Sequence, residues 1–280
     1  RALNADGGVR IHGGSSREHK QKSLRLYARP EYGPSDAFRY PFFPGLKKTG
    51  SGEPLAEFKT LVLRNSGNDR ETLFRDVLMQ GLVEHSPELE TQSSRPVRVY
   101  LNGMYWGLYN LRERHDEYYL AAYYDVAPGR VAILEQDAKV KHGTIRDREE
   151  YLALREYARA HDLSDPAHYR HVAQMMDPRS YIDYYAANIY FHNTDWPHNN
   201  IVFWRIRPEG DGSDPCPGRD GRWRWMLNST DYGFGLRGPS IKGFNSNAIK
   251  SFESRFGTLR GPAANTLEWA LQERDCRLKE

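Results

Sequence analysis

Alternating apolar and polar positions dominate the first third of the chain, and helical spacing dominates the middle. Val9–Ile11 and Leu24–Tyr27 alternate on either side of G-G-S-S-R-E-H-K-Q-K-S (13 to 23), which predicts two strands around a glycine-rich turn. Residues 30 to 54 carry Pro, Gly and Ser in quantity and read as a long surface excursion. Thr60–Arg64 is a β-branched, apolar strand ended by N-S-G-N-D (65 to 69). Asp69 then suits the N-cap of a helix through about His85, with Leu73, Val77, Leu78, Gly81 and Leu82 at helical spacing. In P-V-R-V-Y-L-N-G-M-Y-W-G-L-Y-N-L, Asn102-Gly103 between aromatic and aliphatic runs predicts a tight hairpin. Glu113, Asp116 and Glu117 cluster just past it, where the chain turns into another helix.

From about 147 to 191 the period is helical. Asp147 begins an amphipathic stretch with Tyr151, Leu152, Leu154, Tyr157 and Ala158. Asp165-Pro166 and Asp177-Pro178 each place an N-cap before a proline at the first helical position. The helix after Pro178 is apolar on more than one face, through Tyr181, Ile182, Tyr185, Ile189 and Tyr190, and reads as central. Ile201–Arg205 and Arg222–Leu227 read as strands joined by a Gly/Asp/Pro-rich connection (208 to 221) that reads as exposed and mobile. A last helix is expected from about Asn265 to Glu273. No internal repeat is evident. The layout is α+β, with a β-rich first half containing one helix and a helical second half. It predicts one domain over 1 to 280, with lobes of approximately 1 to 135 and 136 to 280.

Composition narrows the partners more than the chemistry. The chain has 280 residues, 40 basic and 37 acidic, for a formal charge of +3. That balance gives no electrostatic case for nucleic acid or a membrane surface. No apolar run approaches the roughly 18 residues of a membrane span, and the amino terminus has no apolar signal-peptide region. Two cysteines, Cys216 and Cys276, form one disulfide or none, and neither sits in a C-x-x-C pair.

The candidate chemistry lies in two loop-like segments, N-T-D-W-P-H-N-N (193 to 200) and N-S-T-D-Y-G-F-G (228 to 235). Asp195 is followed five residues later by Asn200, and Asp231 sits in an Asp-Tyr-Gly turn after an apolar run. Kinase folds set out their magnesium and phosphoryl-transfer groups with this spacing. One Asp orients the attacking hydroxyl, while the Asn carbonyl and the second Asp offer the hard oxygens that Mg²⁺ prefers. In the first turn, backbone N–H groups around Ser15 and Ser16 can approach phosphate oxygens, with Lys22 as a point charge. An ordinary β-turn with solvated charges is the alternative there, and a helix-terminal cap is the alternative for Asp195. His168-x-x-His171 has helical spacing but no third ligand, so solvated helix residues are the simpler account. Trp196, Trp204, Trp223 and Trp225 suit carbohydrate stacking or, at alternating strand positions, a core.

Taken together, these segments resemble the CotH kinases (spore-coat protein H), a divergent group within the protein-kinase-like fold. The resemblance runs through G-G-S-S-R-E-H-K-Q-K-S, F-R-D (74 to 76) and Y-L-N-G-M-Y-W-G-L-Y-N-L-R-E-R-H-D (100 to 116). It continues with D-W-P-H-N-N-I-V-F-W-R (195 to 205), W-R-W-M-L-N-S-T-D-Y-G-F-G-L (223 to 236) and N-T-L (265 to 267). It implies a two-lobed kinase-like fold, with the polar motifs converging on one cleft, and ATP- and Mg²⁺-dependent phosphorylation of protein Ser or Thr by secreted, cell-surface or spore-associated proteins. By the same resemblance Ser15, Ser16, Arg17 and Lys22 belong to the phosphate-contacting segment, and Glu113 to the glutamate after the Y-W-G hairpin. Asp195 falls on the catalytic aspartate, and Asn200 and Asp231 on the metal ligands. Glu71 and Asp76 both remain candidates for the helix carboxylate that pairs with a lysine in ordinary kinases. One departure stands out: the family's Asp-x-Asp reads Ser229-Thr230-Asp231 here. Two function classes therefore stay open, a kinase weakened in metal binding and a catalytically inactive kinase-like interaction or adhesion module. The protein substrate and the oligomeric state are not legible.

Overall fold

The period-two alternation around the glycine-rich turn produces an antiparallel pair, β1 (Gly8–His12) and β2 (Ser23–Tyr27), joined through a 3-10 turn at Ser15–Glu18. The structure is a computed structural model that describes residues 3–197, 199–210, 214 and 216–236. The chain forms two compact units, one of the residues up to Leu82 with Thr91–Pro128, the other of Val83–Glu90 with the chain from Gly129 onward.

In the first unit, β3 (Phe38–Arg39) pairs with β4 (Glu57–Phe58), and β5 (Thr60–Arg64) leads to helix α1 (Arg75–Val83). Strands β6 (Ser94–Leu101) and β7 (Met104–Arg112) form the expected hairpin, and α2 (Glu117–Tyr124) follows. Asn102 and Gly103 take the positive φ angles, 51° and 81°, that a two-residue hairpin turn of matching twist requires. The main sheet is antiparallel with the order β1-β2-β5-β7-β6. Directly paired residues share a face of such a sheet, so its register sorts the side chains. Arg10, Arg25, Val62 and Arg112 form one rung, and His12, Ser23, Tyr27, Thr60, Arg64 and Asn110 lie on the same face. The opposite face is aliphatic, with Val9, Ile11, Leu24, Leu26, Leu61, Leu63 and Leu111. Helix α1 lies on the arginine face, where its buried Asp76 meets Arg112 and Arg64. Asp116 caps α2, accepting the N–H groups of Tyr118 and Tyr119.

The second unit holds the sheet β11-β10-β8-β9, built from β8 (Val131–Glu135), β9 (Lys139–His142), β10 (Val202–Ile206) and β11 (Arg224–Met226). Between β9 and β10 come α3 (Ile145–Ala160), α4 (Pro166–Met175) and α5 (Pro178–Tyr190). Asp165 and Asp177 cap α4 and α5 with proline at the first helical turn, as expected. The core is aromatic: Trp204, Trp223, Trp225, Phe203, Tyr151 and Phe191 are fully buried, and the Tyr151 and Phe203 rings stack at 4.2 Å. With Trp196 also buried, all four tryptophans are core residues, leaving no exposed indole platform among them for a sugar.

Several expectations are corrected. Helix α1 starts at Arg75 rather than after Asp69. The Asp69 carboxylate still accepts N–H groups from Thr72 and Arg75, but Leu73 sits at φ 62° with its carbonyl taken by Ser66 Oγ and Asn110 Nδ2, which holds the segment out of helix. The buried face of α1 is Asp76, Met79 and Gln80, while Leu78 and Leu82 are exposed, because Asp76 is drawn to the arginines of the sheet. The 30 to 54 excursion is anchored by buried Ala37, Phe38 and Phe43 rather than running wholly over the surface. Helix α3 starts before Asp147, with Thr144 as cap and Asp147 closing a capping box. Ile182 and Tyr190 of α5 are exposed, so that helix buries one broad face. Among the described residues the first unit has two helices, and β8, a strand that the sequence reading did not name, pairs with β9 and β10. The helix expected at 265 to 273 and Cys276 lie outside the described residues.

Candidate active site

Helix α5 delivers the chain into the first loop through a run of asparagine contacts. Asn193 donates Nδ2 to Asn188 Oδ1 at 3.0 Å, and its own Oδ1 accepts the Asp195 N–H at 3.2 Å. The capping atom is therefore the Oδ1 of Asn193 rather than the Asp195 carboxylate. Asn200 Nδ2 donates to the Asp195 carboxylate at 2.7 Å, and Asn199 Nδ2 approaches it at 3.3 Å. The five-residue spacing closes because Asn200 adopts φ 59°, which turns the chain back before β10. Tyr184 of α5 donates to the Asn200 carbonyl, and Gln136 bonds Asn199, so the loop is held from two sides.

The second loop leaves β11 and runs against the first. Thr194 donates both its N–H (3.4 Å) and its hydroxyl (3.2 Å) to the Tyr232 carbonyl, and Phe234 N–H bonds the Phe191 carbonyl at 2.7 Å. Thr194 and Tyr232 are the neighbours of Asp195 and Asp231, so the two aspartates stand on loops stitched one residue away from each. Thr230 and Asp231 are buried, and Gly233 N–H closes a turn onto the Thr230 carbonyl. Ser229 takes φ 51° and is half-buried. Asp195 and Asn200 are thus bonded to each other, and their loop is joined within the second unit to the loop that carries Ser229 and Asp231.

These donors suit Mg²⁺: two carboxylates, an amide and a hydroxyl are all hard oxygen ligands. Among the described residues no cluster of three or more His, Cys, Asp and Glu could hold a metal by itself.

The remaining expected residues lie in the first unit. Ser15, Ser16 and Arg17 form the 3-10 turn, in which Ser16 is buried and Arg17 N–H bonds the Gly14 carbonyl. Gly13 has φ 109°, and a Cβ there would meet Ser16 Oγ at 2.3 Å, so the turn requires glycine at that position. Lys22 donates its ammonium to the Arg17 carbonyl, across the same turn. Its backbone is pinned on both sides, with Tyr109 donating to the Lys22 carbonyl (2.7 Å) and Asn65 holding Gln21 and Ser23. Glu113 is buried; its carboxylate accepts the Tyr123 hydroxyl and the Ser93 N–H, both at 3.0 Å. It lines a cavity of about 230 Å³ with Phe58, Tyr118 and Tyr119. Of the two helix-carboxylate candidates, Glu71 is exposed, whereas Asp76 is buried against Arg112 and Arg64.

Sequence reasoning missed Arg64 and Arg112, and also a second arginine cluster. Asp147 accepts from Arg205 (2.8 Å), Arg207 (2.7 Å) and Thr144 (2.7 Å), tying α3 to β10. Burial opposes its ionisation, but these charge-assisted bonds prevail and hold its carboxyl well below the usual range. The period-two recurrence of arginine on strands was the available signal.

The chain belongs to the CotH kinase family, whose model, described as CotH kinase protein, matches residues 9–274. No curated protein matches the chain. Among the described residues, no helix is long and apolar enough to cross a membrane.

Proposed function

We propose that this protein is an ATP- and Mg²⁺-dependent protein Ser/Thr kinase of the CotH type, with metal binding weakened by Ser229. The observation that carries the reading is the bonded Asp195–Asn200 loop stitched to the Asp231 loop through Thr194 and Tyr232. Family membership supports kinase-like chemistry at the coarser level.

Asp195 orients a substrate serine or threonine hydroxyl and receives its proton, which then passes to solvent. The hydroxyl oxygen bonds to the γ-phosphorus as the bond from that phosphorus to the bridging oxygen of ADP breaks. Asn200 holds Asp195 in place through its amide nitrogen, and its carbonyl oxygen together with Asp231 would hold Mg²⁺. When bound, the ion neutralises charge on the phosphate oxygens. Ser15, Ser16, Arg17 and Lys22 supply N–H groups and positive charge for phosphate, and the tyrosine-lined cavity supports a place for Glu113 in the nucleotide site. In this proposal the two units correspond to the two lobes of a kinase, and the protein is secreted, surface-exposed or associated with a spore coat.

A second reading, a kinase-like interaction module without catalysis, is favoured by Ser229, a neutral hydroxyl where a charged ligand is expected. A thermal-shift titration separates the two. Mg²⁺ with ATP should raise the unfolding midpoint, since a ligand of the native state stabilises it. No shift at millimolar Mg·ATP would reject the kinase reading.

A further inference from the structure

The tip of the β6–β7 hairpin is apolar and exposed. Tyr100, Leu101, Met104, Tyr105, Trp106 and Leu108 are each 36 to 67 % exposed, although a folded chain ordinarily keeps its contiguous apolar surface small. The register sets these side chains all round the tip. Tyr100 pairs with Tyr105 and Leu101 with Met104, so the two pairs stand on opposite faces of the ribbon. Trp106 is the extra residue of the bulge beside Tyr100. The two tyrosine rings meet edge to face at 5.5 Å and 62°, which staples the hairpin but offers no flat platform for a sugar ring.

The charge around this tip is positive. The whole chain is nearly balanced at +3, but residues 91 to 112 contain three arginines and no Asp or Glu. Arg112 is bonded inward to Asp76, whereas Arg95 and Arg98 are exposed and take part in no ion pair among the described residues. Arg98 is the direct cross-strand partner of Leu108, so cation and apolar surface adjoin. The glycine-rich turn is bonded to the same hairpin, Gln21 Nε2 donating to the Leu108 carbonyl at 2.7 Å, and it carries Arg17, Lys20 and Lys22 against the single acid Glu18.

We propose that this hairpin tip seats the protein on an anionic lipid surface, with its apolar side chains at the boundary of headgroups and acyl chains and Arg98 among the lipid phosphates. The proposal is independent of the kinase reading. Strand geometry sets the depth. At about 3.4 Å per residue, Tyr100 lies ~7 Å behind the Asn102-Gly103 turn and Arg98 ~14 Å behind it. Interfacial segments enter by about 5–10 Å, which submerges the tip and leaves Arg98 at the headgroups. Tyr and Trp are the side chains that favour this boundary, with an apolar ring and a polar edge. A protein partner would have to close round both faces and the end of the ribbon, whereas a lipid surface surrounds the tip without a shaped groove. The anionic headgroups supply the partners that Arg95 and Arg98 lack within the described residues.

The test is co-sedimentation of the full chain with phosphatidylcholine vesicles and with phosphatidylcholine vesicles containing about 30 % phosphatidylserine. Circular dichroism checks that each variant folds. The wild type should bind the phosphatidylserine vesicles about tenfold or more tightly than the neutral ones, and lose that preference at about 0.5 M salt. Met104→Ser and Trp106→Ser should each weaken binding about tenfold, as expected for losing one submerged apolar side chain. Arg98→Gln should weaken it about fivefold. Ile182→Ser, at an exposed apolar position of the second unit, should change it by less than about twofold. Tryptophan emission should shift to the blue on binding, and Trp106→Phe should largely remove the shift, because Trp196, Trp204, Trp223 and Trp225 are already buried. If Met104→Ser does not fold, Trp106→Ser and Arg98→Gln carry the test. No binding by the wild type, equal binding to both kinds of vesicle, or every folded hairpin variant within about twofold of wild type overturns the proposal. Sedimentation velocity without lipid covers the other occupant: a dimer that Met104→Ser and Trp106→Ser dissociate would assign the tip to a second copy of the chain and overturn it as well.

Discussion

Replacing Asp147 by Asn tests how the second unit holds β10, the strand that runs out of the Asp195–Asn200 loop. The change keeps the shape of the side chain and removes its charge. In the wild type this buried carboxylate takes two bonds from Arg207 and one from Arg205, and it also closes the Thr144 capping box. Removing one partner of a buried pair costs about 3–5 kcal/mol when the other charge is stranded. Two features reduce that here. Arg205 keeps Glu150 as a partner, and the Arg207 side chain is 30 % exposed and can rehydrate. A loss of about 2–3 kcal/mol is therefore expected. At roughly 2–4 °C per kcal/mol for a unit of this size, the melting temperature should fall by about 4–12 °C. The pH dependence has a definite sign. The folded carboxyl titrates below its unfolded value of 3.8, so its contribution is fully present above that pH and is lost as pH falls through the folded value. Thermal unfolding followed by circular dichroism from pH 7 to pH 2 should show a large gap between wild type and Asp147→Asn at pH 7 that begins to narrow below about pH 4 and keeps narrowing to pH 2. Equal melting temperatures at pH 7, or a gap independent of pH, would refute the reasoning.

Three further outcomes are expected. Ser229→Asp should lower the Mg²⁺ needed for half-maximal transfer and raise turnover by about tenfold if the restored ligand is worth ~1.4 kcal/mol; identical Mg²⁺ curves would mean that position 229 does not face the metal. Asp231→Ala should abolish Mg²⁺-dependent nucleotide binding, and retained affinity in a Mg²⁺ titration would remove it from the ligand set. Gly103→Ala should destabilise the first unit by about 1 kcal/mol, because φ 81° is strained for any residue with a Cβ, and an unchanged urea midpoint would contradict that.

The sequence was most legible where local chemistry decides the structure. Asn102-Gly103, Asp165-Pro166 and Asp177-Pro178 mark their hairpin and helix starts because a turn or a cap needs only neighbouring residues. That Asp195 and Asn200 share one loop was legible for the same reason, since they are five residues apart, whereas the bond from the Asn200 amide to the Asp195 carboxylate was not foreseen. The start of α1 was not, because Leu73 is held out of the helix by Ser66 and by Asn110, a residue 37 positions away. The pairing of Asp76 with Arg64 and Arg112, and of Asp147 with Arg205 and Arg207, likewise depends on strand register, which no local pattern specifies. Apolar richness misled at α5, where Ile182 and Tyr190 lengthen the apolar look of the helix yet remain exposed.

The account's central claim is that the stitched Asp195 and Asp231 loops carry out phosphoryl transfer. Its most direct test is transfer of radiolabelled γ-phosphate from Mg·ATP to protein serine or threonine by the wild type and by Asp195→Asn. The wild type should transfer label only with Mg²⁺ present. Asp195→Asn should bind Mg·ATP with unchanged affinity and lose transfer by about a hundredfold or more, because that aspartate acts chiefly in the transition state. Transfer undiminished in Asp195→Asn, or a wild type that transfers nothing at any Mg²⁺ concentration, would contradict the claim.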